Sequence, residues 1–148
     1  MLGGVIMNWF DMLNATLTSW MAPVLSTPVL RWIAMLFLCS AYLQGGLTKA
    51  FDFNTAIAEM KQFGLEPAAP LAVAVIVLEI GASLLVLSGF FRWAGALMLG
   101  GFTLSATFFA NRFWDAPPPK RCATENSFFE HLGLVGGFIL VAWYGLHG

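Results

Sequence analysis

Charge is what this 148-residue sequence has least of. Seven Lys and Arg and eight Asp and Glu make up 10% of it, against about 25% in an ordinary soluble domain. Apolar residues reach 59%, above the usual range of about 45–50%, and the mean hydropathy is +0.78. So few charges cannot clothe a water-facing surface, which excludes a soluble globule and leaves a membrane protein. The net charge of −1 and the scattered basic residues also exclude the electrostatic footprint of a nucleic-acid binder. Cysteine is scarce too. Cys39 lies in an apolar run and Cys122 in a polar stretch, with no CxxC pair, so thioredoxin-like, haem-attachment and zinc-ribbon readings have no residues to stand on. Walker, GxGxxG and Ser-His-Asp patterns are missing as well.

What is abundant is the apolar run of spanning length, about 20 residues. Four occur, at about 29–49, 68–88, 91–111 and 128–147. All seven prolines fall before such a run or in its first turn, where a missing N–H costs least. The fold class expected is therefore an all-α membrane protein, a four-transmembrane-helix bundle over residues 28–148. Residues 1–27 read as an N-terminal amphipathic interfacial helix. They hold no Lys or Arg, so the basic start of a cleavable signal is missing. Asn8, Asp11, Asn14 and Thr18 form a polar stripe at helical spacing, with Val5, Ile6, Trp9, Phe10, Leu13, Leu17 and Trp20 around it. A fifth span is the alternative.

Between the first two spans, Asn54 is expected to cap a short helix that presents Ile57, Met60 and Phe63 on one face and ends at a left-handed Gly64. That helix would cover one mouth of the bundle. Residues 114–126, with three consecutive prolines, read as a stiff polar loop on the same side. Lys49, Lys61, Arg112, Lys120 and Arg121 fall on that side, and Arg31 and Arg92 on the other, so the positive-inside rule places the first set in the cytoplasm. Small residues recur four apart at Ala41/Gly45, Ala96/Gly100, Gly101/Ser105 and Gly133/Gly137, the spacing that lets helices approach closely in lipid.

Ionisable groups inside a bilayer cost roughly 2.5–3.5 kcal/mol even on a lenient scale. Glu79, flanked by Val75-Ile76-Val77-Leu78 and Ile80-Gly81-Ala82, must therefore face the bundle interior. There it needs a cationic or donating partner, or must stay protonated. Two roles are open to it, a clamp between helices or a proton-accepting, ligand-contacting group. Antiparallel spans bring Gln44, Lys49, Asn111, Arg112, Glu130 and His131 to one side, with Glu79 roughly 15 Å deeper at about 1.5 Å per residue. Lys49 is expected to lean towards Glu79 through Gln44 or a water, whereas Arg112 divides between such a role and snorkelling. The far end offers little besides Arg92 and His147. His131 could act as a proton relay, a quinone-headgroup donor or a plain interfacial histidine. No three side chains suit a metal, so no metal and no intrinsic cofactor is expected.

These residues resemble the DoxX family of small four-helix bacterial membrane proteins. The resemblance runs from Arg31 to about Tyr144. It rests on Leu47-Thr48-Lys49, Phe63-Gly64-Leu65-Glu66-Pro67, Leu78-Glu79-Ile80-Gly81, Ser88-Gly89-Phe90-Phe91-Arg92 and Glu130-His131-Leu132-Gly133 leading into Gly136-Gly137. Members often carry His where this chain has Asn111, and Asn where it has His131. An imidazole moved across the cleft, with Asn111 and His131 within hydrogen-bond or one-water reach, is the expectation. The resemblance implies an accessory or anchor subunit of a quinone-linked redox complex in the bacterial inner membrane. It would pack against a larger redox subunit, with a homo-oligomer as a further option, and have a quinone site near Glu79, Lys49, Gln44, Asn111 and His131. Arg92, Arg112 and Glu130 are secondary candidates. Two rivals stand beside it: an autonomous small-molecule carrier or membrane enzyme using Glu79 as its proton site, and a purely structural subunit.

Overall fold

The computed structural model describes residues 2–147, with side chains from residue 8 onward. Six helices follow one another: α1 (Leu2–Leu25), α2 (Pro28–Phe51), α3 (Phe53–Gln62), α4 (Ala68–Ser88), α5 (Arg92–Ala110) and α6 (Pro118–His147). Among the described residues α2, α4, α5 and α6 are long and apolar enough to cross a membrane, so the four-transmembrane-helix bundle stands.

The chain divides between Leu36 and Phe37 into two compact units. In the first, α1 is a helix over the segment with the polar stripe. Trp9, Phe10, Leu17 and Trp20 on it are exposed, and the side chains of Val5 and Ile6 lie outside the described residues. Thr16 and Ser19 give their hydroxyl protons to the Met12 and Thr16 carbonyls, so neither competes for a partner elsewhere.

The second unit is held together by close backbone approach. A Cβ on Gly95 would sit 2.6 Å from the Ala82 carbonyl oxygen, so α4 and α5 touch main chain to main chain. A Cβ on Gly46 would meet Ile80 at 2.8 Å, one on Gly100 would meet Phe138 at 3.3 Å, and one on Gly137 would meet Leu38 at 3.4 Å. Lipid offers no hydrophobic drive between helices, and such contacts supply dispersion energy in its place. Gly101 and Gly133 face open space, so neither of these two glycines seats a neighbour within the chain.

The α4–α5 turn is short because two consecutive tight features close it. Gly89 takes φ +83 and Phe91 takes φ +48, both left-handed, and Arg92 Nε donates to the Val86 carbonyl at 3.1 Å. That guanidinium satisfies one of the last carbonyls of α4.

Two expectations are corrected. The cap of α3 is Asp52, not Asn54: Asp52 accepts from the Thr55 amide at 3.1 Å and the Thr55 hydroxyl at 2.7 Å. Since α2 runs to Phe51, only Asp52 stands outside both helices, where a cap must be, and Asn54 is already inside the first turn. Residues 118–126 are not loop but the start of α6. Prolines at first-turn positions need no N–H partner, and Lys120 and Arg121 both donate backbone N–H groups to Pro117 O. At about 1.5 Å per residue α6 is roughly 45 Å long, more than the about 30 Å of hydrocarbon it must cross. Its polar opening turns therefore extend past the apolar layer. Gly64 has the expected left-handed φ, +69, and α3 packs Ala56 and Met60 on Ala68 and Ala72 of α4.

Candidate functional site

Lys49 and Glu79 meet directly. Gly45 and Gly46 carry no side chain to hold α2 off α4, and Glu79 Cβ lies 3.2 Å from where a Gly46 Cβ would be. One turn further along α2, the Lys49 ammonium reaches both Glu79 carboxylate oxygens, at 3.2 and 3.1 Å. The side chains retain 18% and 6% of their exposure. No Gln44 or water bridge is needed, which corrects that expectation: Gln44 is exposed and donates to Thr48 Oγ1 at 3.1 Å on its own helix. An ion pair drawn into such a setting survives only if both partners stay engaged.

The pair forms part of the wall of a cavity of about 430 Å³ lined by α2, α3, α4, α5 and α6. Its surroundings are mainly apolar, with Met60, Phe63, Val75, Phe102 and Phe109 among them. Polar atoms come from Tyr42, Glu59, Thr103, Ser105 and His131 besides the ion pair. A second hollow of about 250 Å³ is more polar than the first, lined by Gln44, Thr48, Asp52 and Thr55 with Ala56, and shares Gly45, Lys49 and Glu59 with it. Lys49 thus stands between an apolar chamber and a polar vestibule. In that vestibule the two Thr55 hydrogen bonds hold the Asp52 carboxyl below its ordinary range.

His131 is positioned by an aromatic cluster at the α5–α6 connection. Phe128, buried one turn before it, packs edge-on against Phe108 and Phe113, at 5.6 and 5.4 Å between ring centres, and against Trp114 at 5.9 Å. The ring then directs Nδ1 to the Ser127 carbonyl at 2.6 Å, and Asn111 Nδ2 lies 3.5 Å from the same nitrogen. The Asn111–His131 juxtaposition is therefore present, at the outer limit of a hydrogen bond.

The remaining candidates lie elsewhere. Arg112 pairs with Asp115 at 2.7 Å in the open, Glu130 is exposed, and Arg92 is engaged at the α4–α5 turn. Among the described residues no group of three His, Cys, Asp or Glu could hold a metal ion.

Sequence reasoning overlooked Tyr42 and Thr103. Tyr42 Oη and Thr103 Oγ1 are 2.6 Å apart, buried across the α2–α5 contact, and the Tyr42 ring packs on Phe138 at 5.3 Å. A signal existed: this is one of only two tyrosines, set mid-span, and a phenol in hydrocarbon must find a partner inside the bundle.

A family model described as DoxX matches residues 29–112. The chain is also similar to "Inner membrane protein YphA" of Escherichia coli (strain K12), at 25% identity over 118 residues, covering 80% of this chain and 84% of that protein. No solved structure matches it.

Proposed function

The chain belongs to the DoxX family, and from that premise we propose that it is an accessory membrane subunit of a bacterial quinone-linked redox complex, with the headgroup of a quinone-type molecule seated beside Lys49 and Glu79. It resides in the bacterial inner membrane, as its Escherichia coli relative is named to do. The observation that carries the reading is the cavity itself. A mostly apolar chamber of about 430 Å³ containing one buried acid–base pair has the size and lining of a small-molecule site, and its lining suits a lipophilic ligand with a polar headgroup. Lys49 is the group that steadies an oxygen of the headgroup, Glu79 holds Lys49 in place, and His131 stands at the rim as a proton carrier. The electron chemistry belongs to the partner subunit.

A second reading has its own support. The cavity draws its lining from α2, α3, α4, α5 and α6 with Glu79 among the lining residues, which suits an autonomous carrier with Glu79 as its proton site.

Glu79→Gln in the native host separates the readings. Under the proposal the complex assembles and quinone-dependent turnover falls with a shifted pH profile. If the pair is only a clamp, stability falls but the complex that still assembles turns over at the wild-type rate and with the wild-type pH profile. Normal assembly with unchanged turnover overturns the proposal. Native mass spectrometry of the chain extracted in mild detergent tests the partner: added mass from a dehydrogenase or cytochrome is expected, and a lone monomer or homodimer carrying a small lipophilic molecule favours the carrier.

A further inference from the structure

We infer that the cavity selects the reduced, hydroxyl-bearing form of its ligand over the dicarbonyl form; this rests on the quinone-type reading above and sharpens it. The reason lies in where the protons of the lining groups already point. Thr103 Oγ1 has a single proton and gives it to the Leu99 carbonyl at 2.7 Å. The 2.6 Å contact between Thr103 and Tyr42 must then be made by the Tyr42 proton, so Tyr42 Oη has only lone pairs left to offer. Ser105 likewise gives its proton to the Gly101 carbonyl at 2.9 Å.

His131 follows the same pattern. Two lone pairs cannot face each other at the 2.6 Å that separates Nδ1 from the Ser127 carbonyl oxygen, so Nδ1 carries the proton and donates it. The Asn111 amide cannot also donate to that nitrogen, which is consistent with its 3.5 Å distance. In the neutral ring Nε2 is then the lone-pair nitrogen. Glu79 accepts from Lys49 through both of its carboxyl oxygens. Lys49 is the single free source of protons, and two of its three N–H bonds are directed at Glu79.

Polar groups around the cavity are thus nearly all acceptors. A dicarbonyl headgroup brings acceptors of its own and finds one spare Lys49 proton to share between two oxygens. A dihydroxy headgroup brings two donors to a lining that lacks them. Facing acceptor against acceptor in a mostly apolar chamber forfeits a hydrogen bond on both partners, worth about tenfold or more in affinity.

The test uses the full chain in lipid nanodiscs under anaerobic conditions, with tetramethyl-1,4-hydroquinone and tetramethyl-1,4-benzoquinone as paired probes of nearly equal shape. Equilibrium binding should favour the hydroquinone by about tenfold or more. Equal affinities, or preference for the benzoquinone, overturn the inference and leave the quinone-type site standing. Binding of neither probe overturns both. The Ser105 hydroxyl proton already goes to the Gly101 carbonyl, so Ser105→Ala removes one acceptor and frees no other, and should lower the hydroquinone-to-benzoquinone preference. An unmoved preference in that variant contradicts the inference, and the wild-type ratio decides the matter on its own if the variant does not fold.

Discussion

At the α4–α5 turn Arg92 folds its guanidinium back onto the Val86 carbonyl, whereas at the other end of the bundle Lys49 turns its ammonium inwards onto Glu79. Both are cations at the edge of an apolar span. What surrounds them makes the difference. Close to Arg92 the helices touch main chain to main chain through Gly95. Around Lys49 the α2 glycines let a carboxylate approach, α3 caps the opening, and the helices leave a chamber unfilled. A charge next to close packing completes the backbone; the same kind of charge next to a void is left able to meet a ligand.

The comparison breaks most sharply at the ion pair. Lys49→Met leaves Glu79 buried without its cation and should cost about 3–5 kcal/mol, read as lost resistance to denaturation in detergent. The double replacement Lys49→Met with Glu79→Leu should recover most of that stability while ligand binding stays lost. If the single and double variants are equally unstable, the pair is not what sets the cost.

Next in size is the tight end. Gly95→Ala drives a methyl into the Ala82 carbonyl and Leu85 Cβ at 2.6 and 2.8 Å, which should cost about 1–3 kcal/mol. Gly101→Ala meets open space and should be neutral or stabilising by up to about 1 kcal/mol. Equal effects from the two would mean the α4–α5 contact is looser than described.

How far these two ends were legible beforehand follows from the physics of each signal. The spans could be read because twenty apolar residues in a row have few alternatives, and Glu79 stood out because a charge in such a run is costly. Lys49 was found from depth alone, but its direct contact was not, since that depends on Gly45 and Gly46 closing the α2–α4 distance. The start of α6 was missed because three prolines read as a stop signal, although at a helix start they are permitted. Tyr42 and Thr103 were passed over because neutral hydroxyls in apolar runs carry no charge to flag them. The cap at Asp52 was misplaced by two residues because the end of α2 was not fixed to the residue.

Smaller effects sharpen the contrast further. Arg92→Met removes one hydrogen bond to a backbone carbonyl and should cost about 1–2 kcal/mol, with no change in binding of a quinone-type probe; a binding change would tie the two ends together. The smallest effect is at the vestibule. The Asp52 carboxyl is held below its ordinary range by Thr55, so its contribution to the start of α3 is complete above the unfolded-state value and is lost as pH falls through the depressed folded one. Amide exchange at Thr55 and Ala56 should therefore quicken in acid, and Asp52→Asn should flatten that dependence.

The central claim is that the chamber beside Lys49 and Glu79 holds a quinone-type headgroup, and photolabelling tests it most directly. An azido-benzoquinone irradiated with the full chain in nanodiscs, followed by peptide mapping, should mark cavity residues such as Met60 and Phe102. Excess unlabelled hydroquinone should suppress that labelling. Label confined to outward-facing side chains such as Phe37, Val77 and Leu140, insensitive to competitor, would contradict it.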